Sequence, residues 1–351
     1  MAFRRFATGW FWVLLASCLQ GQDPRFSQFY ASPWNLNPAM TGAFEGQWRA
    51  VANYRDQWSS ILSPVPFRTY SAAADVRFGV GPYDHFALGL GALHDEAGTA
   101  RFSQNKVHLG GAFLKQISGG PRRATHVLSA GAQLGFGQNS ADWGRVWFSR
   151  QFDPLQEAPD FNAPNGEPNA QGNSSPYLDF NAGLLWYAVS RRRDGFWTLG
   201  IAWHHLNRPN VALLADNPSE RLYLRWTLHA GGLLPFTEQM GLMPGLLLMS
   251  QGPAREFNAG AALRYSNNDR NELALRAGAW ARVVNRLNQG MHADAIVAVV
   301  MLELERWMLG LSYDITTSSL ARVNNSRGAF ELSLTYYHPA VRRSRVVCPR
   351  F

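Results

Sequence analysis

The densest groups of possible metal ligands in the sequence are the pair His204-His205 and the triplet His94-Asp95-Glu96. Both lie in stretches that we predict to be β-strands, in which neighbouring side chains point to opposite faces. We therefore expect that His204 and His205 do not share a metal ion. The sequence predicts neither a metal site nor a cofactor.

Other catalytic patterns are missing from the sequence. There is no GxSxG motif of the kind that presents a nucleophilic serine. Glycine-rich stretches such as "LGLG" do not lie at a predicted strand-to-helix turn, where a phosphate-binding loop would have to be. No spacing singles out a Ser-His pair at a lipid boundary. We predict that the protein is not an enzyme.

The charge of the chain is basic but dispersed. The formal net charge is +8, only 17% of residues are charged, and lysine occurs only at Lys106 and Lys115, so arginine carries nearly all of the positive charge. A nucleic-acid-binding protein usually concentrates its basic residues on one patch or stripe. Here single arginines are spread through alternating segments, and we expect no nucleic-acid partner.

The scattered arginines and the histidine clusters belong to segments in which apolar and polar positions alternate. In "WRAVANYR", residues 48–55, one set is apolar with an aromatic residue at each end, whereas the other set is mostly charged or amide. The same alternation occurs in "RLYLRWTLHA", where Leu222, Leu224, Trp226, Leu228 and Ala230 are predicted to share a face. About 14 such segments of roughly 9–11 residues follow one another, which is the length of a tilted strand that crosses a bilayer.

The alternation is typical of a transmembrane β-barrel. Its outer face meets lipid and must be apolar, while Trp and Tyr are favoured at the headgroup layers. Full closure pairs every backbone group within the hydrocarbon layer. A soluble β-sandwich would not explain so many long two-faced strands. We predict an all-β fold, a transmembrane antiparallel β-barrel of about 14 strands over residues 46–338, with an N-terminal segment in or against the lumen.

Several charged residues fall on the set that would face the lumen. They could form a selective channel or a surface that grips an exported peptide, or they could form ion pairs that keep neighbouring strands in register. Arginine suits both roles through its forked hydrogen bonding. The candidates are Arg49, Arg55, Asp75, Arg77, Glu272, Arg276 and Glu331.

The first 21 residues read as a signal peptide, because Arg4 and Arg5 precede the apolar stretch from residue 10 to residue 15 and small residues follow. Cleavage after Gly21 would leave one cysteine, Cys348, and therefore no internal disulfide. The alternative is lipidation at Cys18, since "LASC" resembles the lipobox of bacterial lipoproteins.

Two polar segments flank the predicted barrel. Residues 22–45 are too polar to cross lipid yet carry large apolar side chains that need burial, so they either plug the lumen or pack on a periplasmic partner. Those side chains are Phe26, Phe29, Tyr30, Trp34 and Leu36. Residues 339–351 form a tail that we expect to dock on a partner. Its candidate contacts are Arg342, Arg343, Arg345, Cys348 and Phe351.

The longest connections are predicted at residues 138–176 and 206–220. Long loops of bacterial barrels lie outside the cell, whereas short turns face the periplasm. Both long loops are therefore expected outside the cell. The predicted order of strands, however, puts them at opposite ends of the barrel, so one of the two assignments would be wrong.

Several motifs resemble the PorP/SprF family of the type IX secretion system. They are "QDPRFSQFYASPWNLNPAMTG", "NYRDQW", "FRTYSAAAD", "HLNRPN", "LGLSYDITTSSL", "GAFELSLTYY" and the terminal "CPRF". Each is weak alone, but their order covers nearly the whole chain after residue 21. Met40 stands where the family more often has an aromatic residue. The family start also matches Gln22, which favours ordinary signal cleavage over lipidation.

The resemblance implies an outer-membrane protein of the Bacteroidetes type that works with the secretion and gliding machinery. Members support the export or surface anchoring of particular adhesins or other cargo, and they contact periplasmic components of the machinery. The expected partners are outer-membrane lipid, the cargo and those components. The alternative is a passive, porin-like channel for small solutes, although members of the family are not recognised as general porins.

Overall fold

The computed structural model describes residues 23–59, 67–120, 123–166, 172–190, 195–213, 220–267, 273–286 and 290–339. Fourteen strands pair in one closed antiparallel ring, and β1 closes it by pairing with β16. This confirms the barrel and strand number predicted from the alternation. The barrel strands are β1 (Trp48–Gln57), β2 (Phe67–Val80), β3 (Asp84–Ala97), β4 (Phe102–Gly120), β5 (Arg123–Ser140), β8 (Tyr177–Ser190), β9 (Gly195–His204), β10 (Arg225–Pro235), β11 (Met240–Gln251), β12 (Ala254–Asn267), β13 (Leu273–Arg286), β14 (Gly290–Leu304), β15 (Trp307–Thr316) and β16 (Arg327–His338).

Helices in the described chain are short. Single turns of helix cover Phe29–Ala31, Pro33–Leu36, Pro38–Met40, Trp143–Arg145, Ser149–Gln151 and Ala321–Asn324. None of the helices in the described residues is long and apolar enough to cross a membrane.

The strand faces follow the sequence alternation. In β1 the side chains of Arg49, Val51, Asn53 and Arg55 are buried, while Trp48 is 37% exposed on the outer face. Aromatic residues cluster on the outer face where β1 and β16 meet, with Trp48 and Tyr336 ring centroids 5.0 Å apart. The outer face is therefore apolar and rimmed by aromatics, as a lipid-facing wall requires.

One strand begins later than the alternation predicts. The predicted strand from Leu222 starts at Arg225, and Leu222 is buried rather than lipid-facing. The chain before it folds back on the preceding connection, since Leu222 donates its N–H to the Pro209 carbonyl at 2.9 Å and Val211 donates to Glu220 at 2.8 Å. Hydrogen bonds between loop residues thus replace the first residues of the predicted strand. The observed strands, from 10 to 19 residues, are also mostly longer than the predicted length.

The two ends of the barrel differ. At the end where β1 begins and β16 ends, here called the turn rim, the connections run from two residues (305–306) to five (268–272). The opposite end, here called the loop rim, carries both long connections, 141–176 and 205–224. The expectation that they lie at opposite ends was wrong. The strands β5 and β9, which precede the two connections, both run from the turn rim to the loop rim, because each pairs antiparallel with β8.

Candidate functional site

The lumen is occupied by residues 23–45, here called the N-terminal segment. Among its predicted plug residues, Phe26, Phe29, Trp34 and Leu36 are buried and Tyr30 is partly buried. The segment starts beside residues near the loop rim and ends beside the turn rim, where it enters β1. It therefore runs the full height of the barrel interior.

The loop-rim end of the segment is held by a buried carboxylate. Asp23 accepts hydrogen bonds from Lys106 Nζ at 2.6 Å and from His205 Nε2, and it pairs with Arg225 Nη1 at 3.0 Å. Its own N–H donates to Gln251 Oε1 at 3.1 Å. Three wall strands, β4, β10 and β11, and the residue that follows β9 thus contact Asp23 directly.

His205 bridges two carboxylates in this cluster. Its Nδ1 lies 2.8 Å from Asp179 Oδ1, while Nε2 faces Asp23. Burial disfavours the charged imidazole, but the two carboxylates outweigh it and raise the pKa of His205. Burial likewise opposes ionisation of Asp23, yet His205, Lys106 and Arg225 hold its pKa well below the usual range. These groups are therefore charged and form ion pairs. The cluster of Asp23, Lys106, Asp179, His205 and Arg225 is here called the latch.

The latch is expected to weaken at alkaline pH. His205 has a raised folded pKa, so its contribution to stability is complete below the ordinary value of 6.5 and is lost as the pH rises through the folded value. Asp23 has a lowered pKa, so its contribution is complete above 3.8 and is lost as the pH falls through the folded value. The urea midpoint of vesicle-embedded protein should decline as the pH rises from about 6 into the alkaline range.

The control for this titration is His205→Gln, which keeps a hydrogen-bonding side chain without the titrating group. Its urea midpoint should be lower at pH 6.5 and nearly flat across the same range. A wild-type midpoint that does not move over this range would contradict the latch. The charged and titratable groups around His205 are Asp23, Lys106, His108, Asp179, His204 and Arg225.

A second anchor lies slightly deeper, where Glu331 of β16 binds the main chain of the segment. Ser27 and Gln28 donate their N–H groups to its carboxylate at 2.6 and 2.9 Å. Arg55, directly opposite Glu331 in the β1–β16 register, donates to the same carboxylate. Arg55 also pairs with Asp314 at 3.1 Å, and Asp314 accepts from Ser27 Oγ at 2.8 Å.

The middle of the segment packs on a part of the barrel wall that contains glycines at the points of contact. A Cβ added at Gly91 or Gly110 would overlap the Trp34 indole. Asn37 donates to the main-chain carbonyl of Leu184 at 3.0 Å and accepts from the N–H of Ala39 at 2.9 Å. These glycines leave room for a folded chain inside the ring, so the wall and the segment are shaped for each other.

The turn-rim end is held by an ion pair between two of the predicted lumen-facing charges. Asp75 of β2 accepts from Arg49 Nε at 3.0 Å and from the Gly42 N–H at 2.8 Å. Gly42 has φ +75° and its Cα faces Ala87, so this turn admits no side chain. The Phe44 ring lies under the guanidinium of Arg49 at 4.8 Å. Arg77 donates to the Gly46 carbonyl at 2.9 Å, where the segment joins β1.

Most of the predicted lumen-facing charges contact the segment or each other, whereas Arg276 pairs with a glutamate of β14. Arg49, Arg55, Asp75, Arg77, Arg276 and Glu331 are all buried. Arg276 pairs with Glu303, which also binds Arg264 at 3.0 Å. Glu272 lies outside the described residues, as do Cys18 and the tail residues Arg342, Arg343, Arg345, Cys348 and Phe351.

Several residues of the site were not predicted from the sequence. Asp23, Lys106 and His205 come from three separate parts of the chain, and Arg282 joins Asp294 at 2.8 Å and Asp314 at 2.9 Å. Arg282 and Asp314 lie at the alternate positions of β13 and β15 that face the lumen, so the strand alternation could have identified them. No comparable signal exists for His205, which lies beyond β9.

The histidine pair does not obey the strand rule applied to it. His205 follows the last residue of β9 with φ +60°, and this turn brings its ring into the lumen together with that of His204. The two ring centroids are 6.4 Å apart, and His204 Nε2 faces the Leu36 carbonyl at 3.3 Å. The argument from opposite faces was wrong. The described residues hold no group of three or more His, Cys, Asp or Glu side chains arranged for a metal ion.

The loop rim carries exposed apolar side chains on the connection 141–176. Leu155 is 96% exposed, Phe161 57% and Trp147 49%. The short strands β6 (Phe152–Asp153) and β7 (Ala158–Pro159) pair within this connection. Its base is tied to the end of β5, where Ser174 donates its N–H to the Asn139 carbonyl at 2.8 Å. The described part of this connection therefore presents exposed apolar side chains at the loop rim.

A family model described as type IX secretion system membrane protein PorP/SprF matches residues 19–336. The chain belongs to the PorP/SprF family. The match extends through nearly the whole barrel and includes most of the motifs that resembled this family in sequence, whereas the terminal "CPRF" lies beyond it. This family member is a type IX secretion membrane protein with an outer-membrane β-barrel fold. No curated protein sequence matches the chain.

Solved barrels of similar shape are distant in sequence. CdiB from Acinetobacter baumannii is 8% identical with a TM-score of 0.46, over 83% of this chain and 60% of CdiB, so the chain spans about 60% of the length of that relative. A FadL homologue from Pseudomonas aeruginosa is 12% identical with a TM-score of 0.45, over 87% and 93% of the two chains. The toluene transporter TodX from P. putida is 11% identical with a TM-score of 0.44, over 86% and 93%.

Proposed function

We propose that this protein is a non-enzymatic outer-membrane partner of the type IX secretion and gliding machinery. It supports the export or surface anchoring of one or a few adhesins or other cargo proteins. The observation that carries the proposal is the family match over residues 19–336, in a barrel whose interior is filled by its own N-terminal segment. A filled interior leaves the two rims as the surfaces for recognition.

The loop rim suits cargo that has reached the cell surface. Several exposed large apolar side chains on one connection favour a protein partner, because a large exposed apolar surface usually marks an interaction site. Leu155 and Phe161 are the most exposed large apolar residues in the described part of the connection 141–176. The turn rim and the tail 339–351 would face periplasmic components, and the arginines of the tail suit an acidic surface whose binding weakens as salt rises.

The proposal includes export by the signal peptide 1–21, with cleavage after Gly21. The alternative function, a passive channel for small solutes, requires an open lumen. The contacts of Lys106, Glu331 and Asp75 with the N-terminal segment oppose it.

A clean deletion in the native host tests the role. We expect one adhesin or a small set of cargo proteins to disappear from the cell surface, while other type IX cargo is unaffected, as measured by separate proteomics of the surface and the medium. Loss of all type IX cargo would indicate a general machine component. Unchanged cargo with a defect in nutrient uptake would overturn the proposal.

Complementation separates the loop rim from the barrel itself. A variant with Leu155→Ser and Phe161→Ser should restore the barrel but not the surface cargo. Its control is Gln156→Ser, which changes an exposed polar neighbour on the same connection and should restore the surface cargo. Equal rescue by both variants would show that the loop surface does not hold the cargo.

A further inference from the structure

An apolar cavity lies between the N-terminal segment and the wall formed by β9 to β14. Its volume is about 70 Å³, and its lining includes Phe29, Tyr30, Met243, Gly245 and Trp280. A single water needs roughly 10–15 Å³ of such space, so the cavity has room for about five heavy atoms. It is not part of the charged anchors described above.

Two hydrogen-bond donors in this cavity have no protein partner. Tyr30 Oη and Trp280 Nε1 are both buried from solvent and make no hydrogen bond in the described structure. Trp280 is only 5% exposed, and its ring centroid lies 5.2 Å from that of Tyr30. A Cβ added at Gly245 would stand 3.1 Å from Trp280 Nε1, so this donor lies against the main chain of Gly245, which is another residue of the cavity lining.

The other polar groups of the cavity are already engaged. His229 Nε2 faces Asn37 Nδ2 at 3.0 Å, and Thr198 Oγ1 donates to the Gly231 carbonyl at 3.3 Å. Arg276 pairs with Glu303. A cluster of waters would find few partners on such walls, whereas buried donors need an acceptor. The site fits an apolar molecule that carries one acceptor oxygen.

The wall beside the cavity is weak. In the ladder between β10 and β11, Gly231 pairs with Gly245 and Leu234 with Leu242, but the pairing is interrupted between them. Pro244 lies in this gap and has no N–H to donate. The cavity is lined by successive residues of both strands, 229–232 and 243–245, which point alternately inward and outward. The cavity therefore lies directly against the barrel wall at this gap.

We propose that this cavity is a binding site for a small uncharged apolar molecule with one hydrogen-bond acceptor, such as a ketone, ester or ether oxygen. The molecule enters from the hydrocarbon layer between β10 and β11 and accepts hydrogen bonds from Tyr30 and Trp280. The acceptor is carried either by a small molecule dissolved in the membrane or by a bilayer lipid. The site is separate from the proposed secretion role and does not depend on it.

The test is the indole N–H spectrum of the full-length barrel, labelled with ¹⁵N-tryptophan, during titration with 2-butanone. The Trp280 signal is identified by its loss in Trp280→Phe. We expect a saturable downfield shift of this signal in detergent. Gly245→Val should abolish the shift by filling the cavity, whereas Gly111→Val, where a Cβ meets nothing closer than 3.4 Å, should retain it.

Two further arms complete the test. Tyr30→Phe, which keeps the ring, should weaken 2-butanone binding about fivefold through the loss of one hydrogen bond. A shift already present in lipid nanodiscs without 2-butanone, and absent in detergent, identifies the bilayer lipid as the ligand. A uniform, non-saturable drift of all indole signals, or no shift of Trp280 in either medium, would overturn the proposal.

Discussion

A Glu331→Ala variant is expected to lose about 3–5 kcal/mol of folding free energy, the cost of breaking a buried ion pair from one side. The carboxylate is 1% exposed and binds two N–H groups of the N-terminal segment as well as Arg55. Its removal leaves a buried guanidinium with Asp314 as its remaining anionic partner. The measurement is urea unfolding of the vesicle-embedded barrel, followed by heat-modifiable gel migration.

The matched control is an ion pair on the surface. Asp84 and Lys115 are 3.2 Å apart, and the lysine side chain is 64% exposed. Exposed pairs contribute at most about 1 kcal/mol, so Asp84→Ala should move the urea midpoint little. Glu331→Gln should fall between the two, because it keeps an acceptor for Ser27 and Gln28 but loses the charge. A Glu331→Ala barrel as stable as the wild type would show that this anchor carries no stability.

The alternation in the sequence predicted which charges face inward, but not what they would bind. Arg49 and Asp75 are opposite each other in the β1–β2 register, as Arg55 and Glu331 are between β1 and β16. Strand register depends on turns and packing around the whole ring, so these pairs could not be assigned from local patterns. The interpretation as register-keeping ion pairs also omitted a role visible in the structure, which is to bind the segment.

The N-terminal segment shows the limit of pattern analysis most clearly. Its apolar side chains predicted burial in or against the lumen, but the sequence left packing on a periplasmic partner as the alternative. The segment has no repeating pattern, and its contacts join residues far apart in sequence, such as Asp23 with His205 and Arg225. His205 also escaped prediction, because a positive φ just after β9 turns its ring inward.

Excision of residues 23–45 is expected to convert a closed barrel into a conducting one. A ring of 14 strands without its internal segment is wide enough for an aqueous passage, so conductance should rise on the order of tenfold or more. A second variant replaces the segment with a Gly/Ser linker of the same length, which keeps the chain length while removing every anchor. Heat-modifiable migration of both variants shows whether the barrel still forms.

The central claim is that the N-terminal segment fills the lumen from the loop rim to the turn rim. Its most direct test is the steady single-channel conductance of the unaltered protein in planar bilayers at neutral pH, beside the two segment variants. We expect no steady conductance of porin size from the unaltered protein, and stable open channels from both variants. Steady porin-like conductance of the unaltered protein would contradict the claim and would favour a passive channel for small solutes.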